Sequence, residues 1–226
     1  MGLTLYFHPL SSFCQKVLIA LYEKEIPFTA ELVNLGDKKA REAFVRLWPT
    51  GKIPPLRDQG NDRIVPETTI MIEYLEQRYP GARPLLPEDR SARLEARLWD
   101  RLFDQYVEIP MQKAVGDHLR ADGERDPRGV TDAIATLRMA YEMIEGAIGG
   151  RTWAAGEAFS IADCAAAPAL FYASIVEPFS RCHTRLAAYF ERLMNRSTIR
   201  RTIKEARPYF HLFPLKESIP ARFLSK

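Results

Sequence analysis

Gly51-Lys52-Ile53-Pro54-Pro55-Leu56 and, further along, Glu67-Thr68 are segments in which residue type and spacing point to chemistry. An X-Pro bond adopts cis at small cost, whereas other peptide bonds do not. A cis Ile53-Pro54 kinks the chain and turns the N–H and C=O of Ile53 outward, where an extended peptide can pair with them as an added strand. Glu67-Thr68 stands just before Thr69-Ile70-Met71-Ile72-Glu73-Tyr74-Leu75, which reads as a helix start. Exposed N–H groups and the positive dipole end there favour a carboxylate. Together the two segments suit a small peptide with a free carboxylate. A third segment, Ser11-Ser12-Phe13-Cys14, lies where a first strand gives way to a first helix. A hydroxyl donor at such a helix start offers an anion both a hydrogen bond and a favourable dipole.

The elements that must position these residues alternate over the first eighty positions. Leu3 to Phe7 reads as a strand, Cys14 to Lys24 as a helix, Phe28 to Leu35 as a strand and Arg41 to Leu47 as a short helix. Leu56-Arg57-Asp58 and Asp62-Arg63-Ile64-Val65 flank Gln59-Gly60-Asn61 as a hairpin, and Thr69 to Arg78 closes the unit as a helix. This βαβαββα order resembles the thioredoxin-like fold, a mixed sheet with helices on both faces. Pro80-Gly81-Ala82-Arg83-Pro84 and Pro87 then interrupt every regular pattern. The expected division is an α/β domain over 1–80, a linker over 81–91 and an all-helical domain over 92–226. In the last, Leu94, Leu98 and Leu102 repeat at four, and Ile134, Leu137, Tyr141, Ile144 and Ile148 at three and four.

Gly156-Glu157-Ala158-Phe159-Ser160-Ile161-Ala162-Asp163 adds a capping box, in which Ser160 and Asp163 satisfy each other's backbone N–H groups. With the GKIPPL and Glu-Thr segments before it, this architecture resembles the soluble glutathione transferases over about residues 3–205. The resemblance implies glutathione as co-substrate, a small hydrophobic electrophile as second substrate, and a homodimer. In theta-like and zeta-like members a serine opens the first loop; carried across, it falls on Ser11, with Ser12 as the immediate alternative. Tyrosine-using members place their donor on the preceding strand, where Tyr6 is a minor candidate whose alternation favours core packing. Ile53, before Pro54, would pair with the cysteinyl part of glutathione. Glu67 would accept from the γ-glutamyl ammonium and Thr68, more often serine in the family, would hold its carboxylate. Lys39 and Lys52 would meet the glycine carboxylate.

The chemistry implied is thiol activation. A free thiol has a pKa of about 8.5, and lowering it by about two units needs about 2.7 kcal/mol of preferential thiolate stabilisation. Ser11-x-x-Cys14 resembles a Cys-x-x-Cys whose leading cysteine is serine, which argues against thiol–disulfide oxidoreduction. Cys14 reads as a buried, inert thiol, against the alternative that a helix N-terminus activates it. Related readings are a glutathione-dependent isomerase, a reductase using Cys14, and a transferase-like binding protein without catalysis. Lining of an electrophile pocket is expected from Tyr106, Met111 and Val115, residues of types that also build cores. The aromatic tail Pro208 to Phe213 is expected to dock on the helical domain.

Composition narrows the rest. His8, His118, His183 and His211 have no metal-ligand spacing with the cysteines, and no P-loop, G-x-G-x-x-G or G-x-S-x-G is present. Cys14, Cys164 and Cys182 are odd in number and far apart, as expected of reduced thiols in the cytoplasm. No charged and apolar leader opens the chain, and the most apolar stretch, Cys164 to Val176, is too short to span a bilayer. The net charge of +3 is unevenly placed, with eleven basic and three acidic residues over 181–226. There Arg192, Arg196, Arg200 and Lys204 recur every fourth residue, as one cationic helix stripe would. It reads as a solvated face or as a surface for an anionic partner; no nucleic-acid-binding motif accompanies it, so nucleic acid is not an expected partner.

Overall fold

In the computed structural model, which describes residues 2–34, 36–81 and 83–224, alternation along the first strand decides which helices lie on which face. β1 (Leu3–Phe7) sends Leu3 and Leu5 into an apolar cluster. Val17, Leu18 and Leu21 of α1 (Ser12–Glu23) and Met71 and Leu75 of α3 (Thr68–Arg78) complete it. Tyr6 instead sits 6.4 Å, ring to ring, from Phe44 of α2 (Lys38–Leu47), which is the core packing its position implied. β2 (Thr29–Leu32) runs parallel to β1, whereas β3 (Leu56–Asp58) is antiparallel to β1 and to β4 (Arg63–Val65). The sheet order is β2-β1-β3-β4, the mixed sheet of a thioredoxin-like unit.

Boundaries shift where side chains cap helices. Ser11 and Asp37 accept from the N–H groups of Cys14 and Ala40, so α1 and α2 start earlier than at Cys14 and Arg41. β2 is shorter than the stretch expected to reach Leu35, because its pairing with β1 ends where Leu32 faces Phe7; Leu35 lies outside the described residues. Asp58 holds the hairpin turn, accepting from the Gly60 N–H at 2.8 Å and from the Tyr74 hydroxyl at 2.6 Å.

The chain divides into two units, Met1–Leu86 and Pro87–Lys226, and among the described residues every named element of the second is a helix or a helical turn. It comprises α4 (Arg90–Leu102), α5 (Ile109–Asp117), α6 (Pro127–Ala147), α7 (Ile161–Val176), α8 (Thr184–Met194) and α9 (Ser197–Ala206), followed by 3-10 turns. The leucine repeat of α4 marks the helix but not its buried side: Leu94 and Leu98 are 68% and 50% exposed, while Ala96, Trp99 and Asp100 are buried. Phe103–Glu108 widens into a π-helix between α4 and α5. Pro110 gives the reason, since it has no N–H to donate to residue 106 and its ring crowds that carbonyl.

α7 is buried almost all round and starts at the expected capping box. Asp163 accepts from the Ser160 N–H at 2.8 Å and, beyond what the box requires, from the Ala154 N–H at 2.9 Å and the Tyr189 hydroxyl at 2.6 Å. The aromatic tail docks on this unit, with Phe210 and Phe213 buried beside Phe171 and Tyr172 of α7. The expected cationic stripe is not one helix face. α8 ends at Met194, and Arg196 is extended (φ −72°, ψ 135°) before α9 begins. Arg192 is drawn off to the Thr152 carbonyl at 2.7 Å, and Arg196 lies 3.9 Å over the Phe159 ring. Among the described residues no helix is long and apolar enough to cross a membrane.

Candidate functional site

Strand register brings distant residues to one end of the sheet. Phe7 of β1 lies opposite Leu32 of β2, Leu5 opposite Leu56 of β3, and Leu56 opposite Val65 of β4. The C-terminal ends of β1, β2 and β4 therefore share an end with the N-terminal end of β3. Segments leaving that end carry Ser11 and Ser12 after β1, Lys39 after β2, Ile53-Pro54 before β3, and Glu67-Thr68 after β4. The N-termini of α1 and α3 open there as well. Lys16, one turn into α1, donates to the Thr69 hydroxyl of α3 at 3.2 Å, which fixes the two helix starts side by side.

Each segment has a distinct local build. Ser11 is the extended N-cap of α1 and accepts from the Cys14 N–H at 3.3 Å. The cap engages a lone pair of the hydroxyl and does not consume its hydrogen. Ser12 is buried as the first residue of the helix. Gln15 is buried too, and its side chain donates to the Pro9 carbonyl at 2.8 Å, pinning the loop that carries Ser11. His8, in the same loop, accepts on Nδ1 from the Leu10 N–H at 3.2 Å, and burial holds it below the ordinary imidazole value, hence neutral at pH 7.

The Ile53–Pro54 bond is cis. The Pro55 carbonyl accepts from the Tyr6 N–H at 3.1 Å, but among the described residues the N–H and C=O of Ile53 have no internal partner. Gly51 precedes this segment at φ +65°, a conformation open to glycine, and the Lys52 side chain is exposed beside it. Glu67 is exposed, stands at φ +63° and makes no side-chain cap, while Thr68 is the buried first residue of α3. Lys39 is exposed in the first turn of α2.

Cys14 does not join the site as a reactive group. It is fully buried, and desolvation pushes its thiol up to about 12 against the opposing hydrogen bonds from Ser11 and the His8 backbone. Tyr106, Met111 and Val115 all belong to the second unit; Met111 is buried in its core, Val115 half-buried and Tyr106 exposed. Sequence reasoning passed over Lys16 and Gln15. Their signal was two polar residues set in the otherwise apolar run Cys14 to Leu21.

A family model for the glutathione S-transferase N-terminal domain matches residues 5–83, and one for the C-terminal domain matches residues 104–197. Glutathione S-transferase U25 of Arabidopsis thaliana is 27% identical over 211 residues, 90% of each chain. FtsZ-localized protein A of Caulobacter vibrioides is 31% identical over 183 residues, 78% of each chain. A glutathione S-transferase from Methylobacillus flagellatus, crystallised with GSH bound, superposes with a TM-score of 0.79 at 26% identity, covering 89% of this chain and 98% of its own.

Proposed function

The chain belongs to the glutathione S-transferase family, and from that premise we propose that it joins the thiolate of glutathione, bound on its first unit, to a small hydrophobic electrophile. The observation that carries the reading is the set of unused polar groups at one end of the sheet. The Ile53 backbone pairs with the cysteinyl part of glutathione as a short added strand. Glu67 accepts from the γ-glutamyl ammonium, and the Thr68 hydroxyl and N–H take its carboxylate at the α3 N-terminus. Lys39 and Lys52 meet the glycine carboxylate. Ser11 donates its hydroxyl hydrogen to the thiolate, and the α1 dipole adds to that stabilisation.

The reaction needs no covalent intermediate on the protein. Positioning and preorganised electrostatics supply the acceleration: as the thiolate forms its carbon–sulfur bond, either a leaving group departs with the electron pair of the broken bond, or in an addition the displaced pair moves onto the electrophile and takes a proton from water. Reduced thiols fit a cytoplasmic setting and the family architecture fits a homodimer; both belong to this proposal. The similarity to FtsZ-localized protein A, whose name carries no transferase activity, favours a second reading, a transferase-like binding protein without catalysis.

Titration with glutathione at neutral pH, read by calorimetry and by ultraviolet thiolate absorbance, tests the proposal. A saturating thiolate signal that is lost with Ser11→Ala supports activation. Saturable heat without a thiolate signal overturns activation by Ser11 and shifts weight to an isomerase, a reductase or a different donor, and no saturable heat overturns the proposal in favour of the second reading.

A further inference from the structure

A second recognition site lies wholly in the helical unit, built by α8, α9 and the chain that follows them. A cavity of about 360 Å³ opens there, within the small end of the usual range of small-molecule pockets, about 300–1,000 Å³. Its apolar lining is Met194 of α8, Ile203 of α9 and Phe223 of the tail. Phe223 is fixed by edge-on packing against Phe171 at 5.0 Å, so the apolar wall is a folded part of the unit.

The cationic lining is unevenly satisfied. Arg222 is fully engaged by Glu191, with Nη1–Oε2 and Nη2–Oε1 at 2.7 and 2.6 Å, and it lies 4.6 Å over the Phe223 ring. That fork neutralises the cavity's carboxylate and leaves Arg200, Lys204 and Arg207 in excess. Arg200 and Lys204 are one turn apart on α9, and among the described residues neither side chain has an ion-pair partner. Arg207 follows at the C-cap of α9, and its Nε is buried without a hydrogen-bond partner. A guanidinium presents parallel N–H donors that match a carboxylate or a phosphate.

We propose that this cavity binds a small organic anion, with a carboxylate or phosphate-ester head held by Arg207, Arg200 and Lys204 and a compact apolar body against Met194, Ile203 and Phe223. Concavity favours a small molecule over a protein surface, and the juxtaposition of charge with apolar wall selects amphipathic anions over inorganic ones. Since the site shares no residue with the glutathione site proposed above, either can fail without the other.

Calorimetric titration with 4-phenylbutyrate and with phenyl phosphate, in low salt and with glutathione saturating, tests the proposal. Saturable binding by at least one of them is expected, with 4-phenylbutanamide, the uncharged counterpart of the first, at least tenfold weaker than the acid or showing no binding. The double variant Arg200→Gln/Lys204→Gln changes only exposed side chains and is expected to weaken the binding tenfold or more without altering the glutathione titration. Arg207→Met should have the same effect by removing the third cationic group of the lining. The proposal is overturned if neither anion saturates, if acid and amide bind equally, or if the double variant binds as wild type does.

Discussion

Replacing Ser11 separates a job that its hydroxyl performs, capping α1, from the one proposed for it, donating to a bound thiolate. As N-cap of α1 it accepts from the Cys14 N–H at 3.3 Å, and its loss to alanine is expected to cost about 1 kcal/mol of stability. As the proposed donor to a bound thiolate it would make a charge-assisted hydrogen bond, a class worth about 1.5–3 kcal/mol. At about 1.36 kcal/mol per unit, removing that bond raises the pKa of bound glutathione by about 1–2 units. Ser11→Gly breaks the correlation, because a glycine N-cap loses only a few tenths of a kcal/mol relative to serine yet offers no hydroxyl. Ser12→Ala is the internal comparison, since Ser12 lies inside the helix and is buried. The assay is a pH titration of thiolate absorbance at saturating glutathione, with urea unfolding run beside it. Both Ser11 variants should shift the thiol midpoint upward alike, only Ser11→Ala should lower the urea midpoint clearly, and Ser12→Ala should leave the thiol midpoint in place. An unmoved thiol midpoint in the Ser11 variants, or an equal shift with Ser12→Ala, refutes the assignment.

Cys14→Ala should retain full glutathione-dependent activity: with its thiol pushed up to about 12, about one molecule in 10⁵ carries that thiolate at pH 7. A steady-state assay showing more than a tenfold loss in a variant that still folds would restore Cys14 as a reactive group. Tyr74→Phe removes the hydroxyl that holds Asp58 below its ordinary carboxylate value. A lowered folded-state pKa contributes stability above the unfolded value of about 3.9 that is lost as pH falls through the folded one, so the stability gap between wild type and variant should narrow below about pH 4. Denaturant curves at pH 7 and pH 3 with an unchanged gap would contradict this. Glu67→Gly should weaken glutathione binding tenfold or more yet be no less stable than wild type. Residue 67 stands at φ +63° and its side chain makes no cap, and strain of that kind costs about 1–3 kcal/mol against about 0.5–1 kcal/mol for the extra freedom of glycine. A clear drop in the urea midpoint would count against that account.

Much of the first unit was legible because its signals are local. Alternation in Leu3–Phe7, turn chemistry at Gln59-Gly60-Asn61 and hydroxyl or carboxylate caps each act within a few residues, and the errors there are boundary shifts of one helical turn or less. Residues far apart in sequence, such as Ser11 and Glu67, were linked by family resemblance; what places them at one end is strand register, which no short segment encodes. The second unit was less legible for the same reason. A leucine repeat at four identifies α4 as helical, but which stripe is buried depends on the partner helix: α4 packs against α7, and Ala96 and Trp99 are the residues buried. A cationic repeat at four presumed one continuous helix across Arg196, where the chain turns. The basic cavity needs the last 3-10 turn folded against α8 and α9, a tertiary event with no periodic trace.

Perturbed ionisation does not by itself find function in this protein; the state of polar pairing does. Asp163 is among the most deeply buried carboxylates, and desolvation raises its pKa, yet it accepts from Ser160, Ala154 and Tyr189 and has no capacity directed at solvent. Such a group holds a helix start against its neighbours, and its satisfaction is what makes its burial tolerable. The ends of β3 and α3 show the opposite state. Ile53 leaves both backbone groups unpaired, and Glu67 holds an unfavourable φ without making the cap that would repay it. A chain selected only for stability would close those gaps with its own atoms, as it does around Asp163. Their persistence at one end of the sheet, between two helix N-termini, is what supports the proposed binding there of glutathione, an extended and carboxylate-bearing ligand.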